Sequence, residues 1–139
     1  FPGSFFRYFS EDVAPPTPSL GLEELSDLNL YRSVFLEFVG TFLFQAMHVG
    51  FYVSAANAAQ LGIAHALTWT VLLQTLGPLC GGHFNPLFTL ATVYTGYTSG
   101  VRGILYLIAQ LFGAFLVALA FKDIYNSLID VQFGLCGYS

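Results

Sequence analysis

Polar and apolar positions divide the chain into three long apolar runs separated by shorter, polar, glycine-bearing links. A helix crosses a hydrocarbon core of about 30 Å with roughly 20 residues, and each run approaches that length. The first extends from about Arg32 to Ser54 and is not apolar all round. Ser33, Glu37, Thr41, Gln45, His48 and Tyr52 recur at steps of three and four, which places them along one helical face. That face meets something polar. The second run, about Ala58 to Leu79, follows a polar link at Asn57 and Gln60 and carries Gly62, His65, Ala66, Thr68, Trp69 and Gln74. The third spans about Val101 to Phe121, with Arg102 at its start and Lys122 just past its end. Gly103, Gln110, Gly113, Ala114 and Ala118 give it a face of small residues, which lets helices approach closely in lipid.

Between the second and third runs lies Cys80, Gly81, Gly82, His83, Phe84, Asn85, Pro86, Leu87, Phe88, Thr89, Leu90. The two glycines allow a tight turn, Asn85 is a good helix cap, and Pro86 suits a first helical turn. A helix from Pro86 to about Tyr94 rises only about 14 Å, close to half the hydrocarbon core. It therefore starts inside the membrane and returns. Broken backbone at that depth must be buried in protein or line a water-filled cavity. Its N-terminus offers amide donors and the positive end of a helix dipole, which disfavours cations. Glu37, an acid within a span, needs donors, and the freed amides of this segment are one supply. A proton relay through Glu37 and His48 is the alternative reading.

The ends differ from this central block. Phe1, Phe5, Phe6, Tyr8 and Phe9 form an aromatic cluster, Pro15, Pro16 and Pro18 break any helix, and Leu22 to Leu30 fits a short acidic helix. Aromatics favour the membrane interface, so residues 1–30 read as an arm on that interface or on a partner protein. Residues 31–122 form the membrane unit and 123–139 a C-terminal tail. The chain begins at Phe1 and not at Met, which leaves a removed or an omitted leading piece as alternatives.

Composition agrees with a membrane protein: 55% hydrophobic and 9% charged residues, with a mean hydropathy of +0.68. The net charge is −4 and no basic cluster occurs, which excludes nucleic acid as a partner. Cys80 and Cys136 lie far apart, in no metal-binding or disulfide pattern. No nucleophile, acid–base pair or metal constellation is present, so neither an enzyme nor a cofactor is expected. Arg7, Arg32 and Arg102 share one side of a three-span topology and Lys122 the other, which favours an inside N-terminus.

Three blocks together resemble the first half of an aquaporin: Glu37, Phe38, Val39, Gly40, Thr41; then Gly81, Gly82, His83, Phe84, Asn85, Pro86; then Ala109, Gln110, Leu111, Phe112, Gly113, Ala114. The resemblance covers about Val34 to Phe121. It implies an all-α membrane protein, an aquaporin-like half-fold with three transmembrane helices plus one re-entrant half-helix. By position it implies that Asn85 donates its amide to permeating water at mid-membrane and that Pro86 starts the half-helix. Glu37 would prop the re-entrant loop, with Gln110 as a second bracing candidate. His65 falls at a selectivity-filter position, and His83 near the inner mouth of the pore. Leu87 stands where the family has alanine, and the family builds its pore from two inverted repeats. The expected function is a channel for water or small neutral solutes once a complementary half is supplied. The alternative is a non-conducting structural subunit of a larger, organellar membrane complex. The expected partners are the lipid bilayer and either a second half-channel or other membrane subunits.

Overall fold

The computed structural model describes residues 19–54 and 57–122, which are helical, with no strand among them. The aromatic cluster Phe1 to Phe9, the prolines Pro15, Pro16 and Pro18, Cys136 and the tail 123–139 lie outside the described residues.

Helix α1 (Leu28–Ser54) begins one turn before the expected start at Arg32. Asp27 takes an extended backbone, and its Oδ1 accepts from the Asn29 amide at 2.9 Å, capping the first turn. The acidic helix expected over Leu22–Leu30 is thus replaced by a 3-10 turn, Leu22–Ser26, that ends at Asp27. Helix α2 (Ala58–Thr75) is capped by Asn57, whose Oδ1 accepts from Gln60 N at 3.0 Å. The expected unbroken run to Leu79 stops at Thr75. Pro78 lacks the amide that would continue the helix, so the short α3 (Gly77–Cys80) starts afresh after Leu76. Helix α4 (Pro86–Tyr94) has the expected bounds, and α5 (Gly100–Ala120) follows a Ser99 cap whose Oγ accepts from Arg102 N at 3.3 Å.

Among the described residues, two helices, α1 and α5, are long and apolar enough to cross a membrane. They run parallel. At one end the Gly100 and Val101 amides donate to the Ser19 and Leu20 carbonyls at 2.9 Å, and Arg102 pairs with Glu24 at 2.6 Å. Further along, the Phe38 and Phe112 rings meet at 5.7 Å. Helix α2 returns antiparallel to α1: Trp69 lies edge-on to Phe44 at 5.0 Å and His65 lies against His48. Helix α4 runs back along α5, with Thr89 beside Gln110 and Val93 over Gly103.

The buried stripe of α5 is Gly103, Tyr106, Ala109, Gln110, Gly113 and Val117. Its main steps alternate three and four, which keeps one seam facing α1 and α4. The expected small face is corrected accordingly: Ala118 is exposed and Ala114 only half-buried. At Gly113 the two long helices approach so closely that a Cβ would lie 2.9 Å from the Phe38 carbonyl oxygen. Leu72, Cys80 and Phe84 form an apolar cluster with Leu36, Phe44 and Trp69 around the return of α2.

Candidate functional site

The chain between α3 and α4 turns within five residues, and its backbone geometry follows from which residues stand there. Gly81 and Gly82 adopt φ of 100° and 67°, and a Cβ at Gly82 would come within 2.8 Å of Leu73 Cδ2. Phe84 also takes positive φ, at 45°, a strained conformation for a residue with a side chain. It is held there by both its ring and its amide. The ring is 3% exposed, fills the notch left by Gly40, and lies edge-on to Trp69 at 6.1 Å.

The amides freed by this turn point at Glu37, which is fully buried. Glu37 Oε1 accepts from His83 N at 2.8 Å, and Oε2 accepts from Phe84 N at 2.7 Å. Gln110 Nε2 adds a third donor to Oε2 at 3.0 Å and also donates to Thr89 Oγ1 at 2.9 Å. Burying a carboxylate costs several kcal/mol in isolation, roughly the scale that three well-placed donors, two of them backbone amides, can offset. The proton relay through Glu37 and His48 is not assembled. The carboxylate is occupied by the turn, and His48 lies about 16 Å further along α1, at 1.5 Å rise per residue.

Thr89 joins the parts. Its hydroxyl donates to the Asn85 carbonyl at 3.2 Å, and His83 Nδ1 lies 3.1 Å from the Thr89 hydroxyl oxygen. The His83 ring is held edge-on between Phe88 at 5.3 Å and Tyr106 at 5.2 Å. Tyr106, also fully buried, donates its hydroxyl to the Cys80 carbonyl, and Arg102 Nη1 donates to that hydroxyl at 3.4 Å. Arg102 Nε in turn donates to Glu24 Oε2 at 2.7 Å. One chain of polar contacts therefore leads from the end of the helix pair to the turn.

Asn85 stands at the outlet of this network. Its Oδ1 accepts from Leu87 N at 2.8 Å, capping α4, while the residue itself is exposed. Pro86 occupies the first turn of α4, as its missing amide allows. The turn sits at the level of Glu37, about 14 Å along α1 from Leu28, at 1.5 Å per residue.

Of the residues expected at a site, Glu37, Gln110, His83, Asn85 and Pro86 meet at this turn, and His65 does not. His65 projects from α2 onto His48 and Phe44, one turn beyond Trp69. His83 is 6% exposed, and its ring is enclosed by Phe88, Tyr106 and Thr89. Thr89, Tyr106 and the Phe84–Gly40 contact were not anticipated. Their signal lay in spacing: Thr89 follows Asn85 by one helical turn, and Tyr106 precedes Gln110 by one. Among the described residues no group of His, Cys, Asp and Glu is arranged to hold a metal.

Comparison with known proteins assigns this arrangement a background. A family model described as Major intrinsic protein matches residues 24–137. Aquaporin-5 of Rattus norvegicus is 36% identical over 96 residues, covering 66% of this chain and 36% of that protein. The probable aquaporin PIP2-7 of Oryza sativa subsp. japonica is 32% identical over 132 residues, covering 86% and 46%. Aquaporin PIP2-4 of the same plant is 33% identical over 133 residues, covering 84% and 46%. The chain spans less than half the length of these relatives.

Proposed function

The chain belongs to the major intrinsic protein family and is an integral membrane protein, and from that premise we propose that it supplies one half of a channel for water or small neutral solutes. Residues 31–122 are the half-repeat: α1, α2 with α3, and α5 as the three transmembrane helices, and α4 as the re-entrant half-helix. Residues 1–30 and 123–139 flank it as arm and tail. The observation that carries this reading is the exposed Asn85 at the start of a half-length helix, at mid-depth of α1, on a turn fixed by Glu37 and Gln110.

In this reading the oxygen of the Asn85 side chain is occupied by the helix cap, so the amide group is turned one way and its Nδ2 donates to a passing solute. Glu37 and Gln110 act through the turn: they hold the backbone that aims Asn85. His83 belongs to the same brace, and His65 is the lining candidate on α2. The dipole of α4 places partial positive charge beside the path, which favours neutral solutes over cations. The wall opposite comes from a complementary half. The role is transport and not catalysis, in keeping with relatives that are aquaporins.

A non-conducting membrane subunit is the second reading, and one observation favours it. Leu87 and Phe88, directly after Asn85 and Pro86, are 75% and 50% exposed. They present apolar surface where a solute would pass.

Stopped-flow osmotic shrinkage of vesicles separates the two. The full chain is reconstituted together with the portion of aquaporin PIP2-4 that it does not match. Shrinkage faster than with either chain alone, and lost in Asn85→Trp, is the expected result. Two chains that co-purify yet leave the rate at that of empty vesicles would sink the channel reading in favour of the subunit.

A further inference from the structure

Away from the turn, His48 of α1 and His65 of α2 lie face to face, with ring centroids 4.4 Å apart and planes inclined by only 15°. Aromatic rings surround the pair: Phe44 lies 6.1 Å from His65, and Tyr52 lies parallel to His48 at 6.5 Å. His65 Nε2 is buried and bonds to no described residue. His65 is the titratable ring stacked on His48. Tyr52 faces it from its own helix. The other helices against α1 are the short α3, whose titratable group is Cys80 beside the turn, and α5, whose basic groups are Arg102, paired with Glu24 at the opposite end, and Lys122 just beyond the helix. Glu37, on the α1 face that includes His48, is occupied by the turn.

This setting treats one proton and two protons differently. A single imidazolium lying on a neutral aromatic ring is attracted to its π face. Two imidazolium rings only 4.4 Å apart repel each other, with no carboxylate of the described residues between them. We propose that His48 and His65 form a binding site for one proton, shared by the pair, on the seam between α1 and α2. The site rests on the packing of those helices and not on the channel reading. When loaded it puts a single positive charge on the seam; when empty it leaves Nε2 of His65 as a neutral acceptor.

The test uses the full chain, labelled at histidine with carbon-13 and nitrogen-15, in lipid vesicles. The chain has three histidines, so His48→Phe and His65→Phe identify each ring by difference and leave His83 in place. In the native chain the first proton is expected to move the signals of both rings together, and the second to bind at least about one pH unit lower. In His48→Phe, which keeps an aromatic face on His65, uptake at His65 becomes a single step. Two rings of the native chain that each take up a proton over the same pH interval would overturn the proposal, as would a His65 curve identical in native and His48→Phe proteins. Should a variant not fold, the native titration alone decides. Coupled two-step uptake in vesicles that conduct nothing, even with the complementary half, supports the shared site while removing the channel reading.

Discussion

The turn before α4 and the seam between α1 and α2 both bury polar groups against α1, and they are held in opposite ways. At the turn, directional hydrogen bonds saturate the Glu37 carboxylate with two backbone amides and the Gln110 amide. At the seam, rings stack, and His65 Nε2 is left without a bond among the described residues. Hydrogen bonds fix distance and angle, whereas ring stacking constrains little beyond separation. The first arrangement holds a strained backbone in one place. The second leaves a polar atom free to meet something else.

That contrast can be broken most directly at Glu37. Glu37→Leu leaves buried amides of His83 and Phe84 unpaired and should cost about 3–5 kcal/mol, the scale of breaking a buried charged network. His65→Phe, which keeps ring volume and removes an unbonded nitrogen, should cost less than about 1.5 kcal/mol. Unfolding in denaturing detergent measures both, and equal losses would erase the distinction drawn between turn and seam.

Gly40→Val tests whether the strained Phe84 depends on the notch beneath it. A Cβ at residue 40 would fall on the Phe84 ring, so the ring must leave. The expected loss is about 1–3 kcal/mol, as for overpacking a filled core. Trp69 is the only tryptophan of the chain and lies edge-on to Phe84, so its emission should shift in the same variant. An unchanged spectrum with unchanged stability would mean that Phe84 does not hold the turn.

A smaller effect is expected at Arg102→Leu. The Glu24 and Arg102 side chains are 25% and 27% exposed, so solvent screens the pair and the loss should be about 0–1 kcal/mol, diminishing in high salt. A large, salt-independent loss would assign the contact of Arg102 with Tyr106 to the brace itself. Smallest of all is Leu87→Ala. At 75% exposure its stability effect should stay within about 0.5 kcal/mol, while osmotic shrinkage of the co-reconstituted vesicles should quicken. A slower rate would show that Leu87 does not obstruct the path.

Much of this was legible in the sequence. The bounds of α4 follow from local chemistry: two glycines that permit positive φ, an asparagine cap, and a proline in the first turn. That Glu37 needs donors follows from the cost of a buried charge, and the turn is where spare amides exist. The early start of α1 was less visible because the Asp27 cap competes with an acidic stretch that also favours a helix. The burial of His83 was not legible in the sequence, because it depends on Phe88 and Tyr106 closing over the ring.

Caps, φ preferences and helical periodicity act over a few residues, so the order of the elements, the half-length of α4 and the polar face of α1 were written in the chain. Which faces meet, and at what depth, were not. Glu37 and Gln110 are 73 positions apart, and no local rule relates them. Their meeting depends on α1 and α5 lying parallel with Gly113 against the α1 backbone. The same packing turns His83 inward, opens the Gly40 notch to Phe84, and brings His48 onto His65. Long-range packing chose among faces that local chemistry had only made available, because contact energies between distant segments exist only once the helices are assembled.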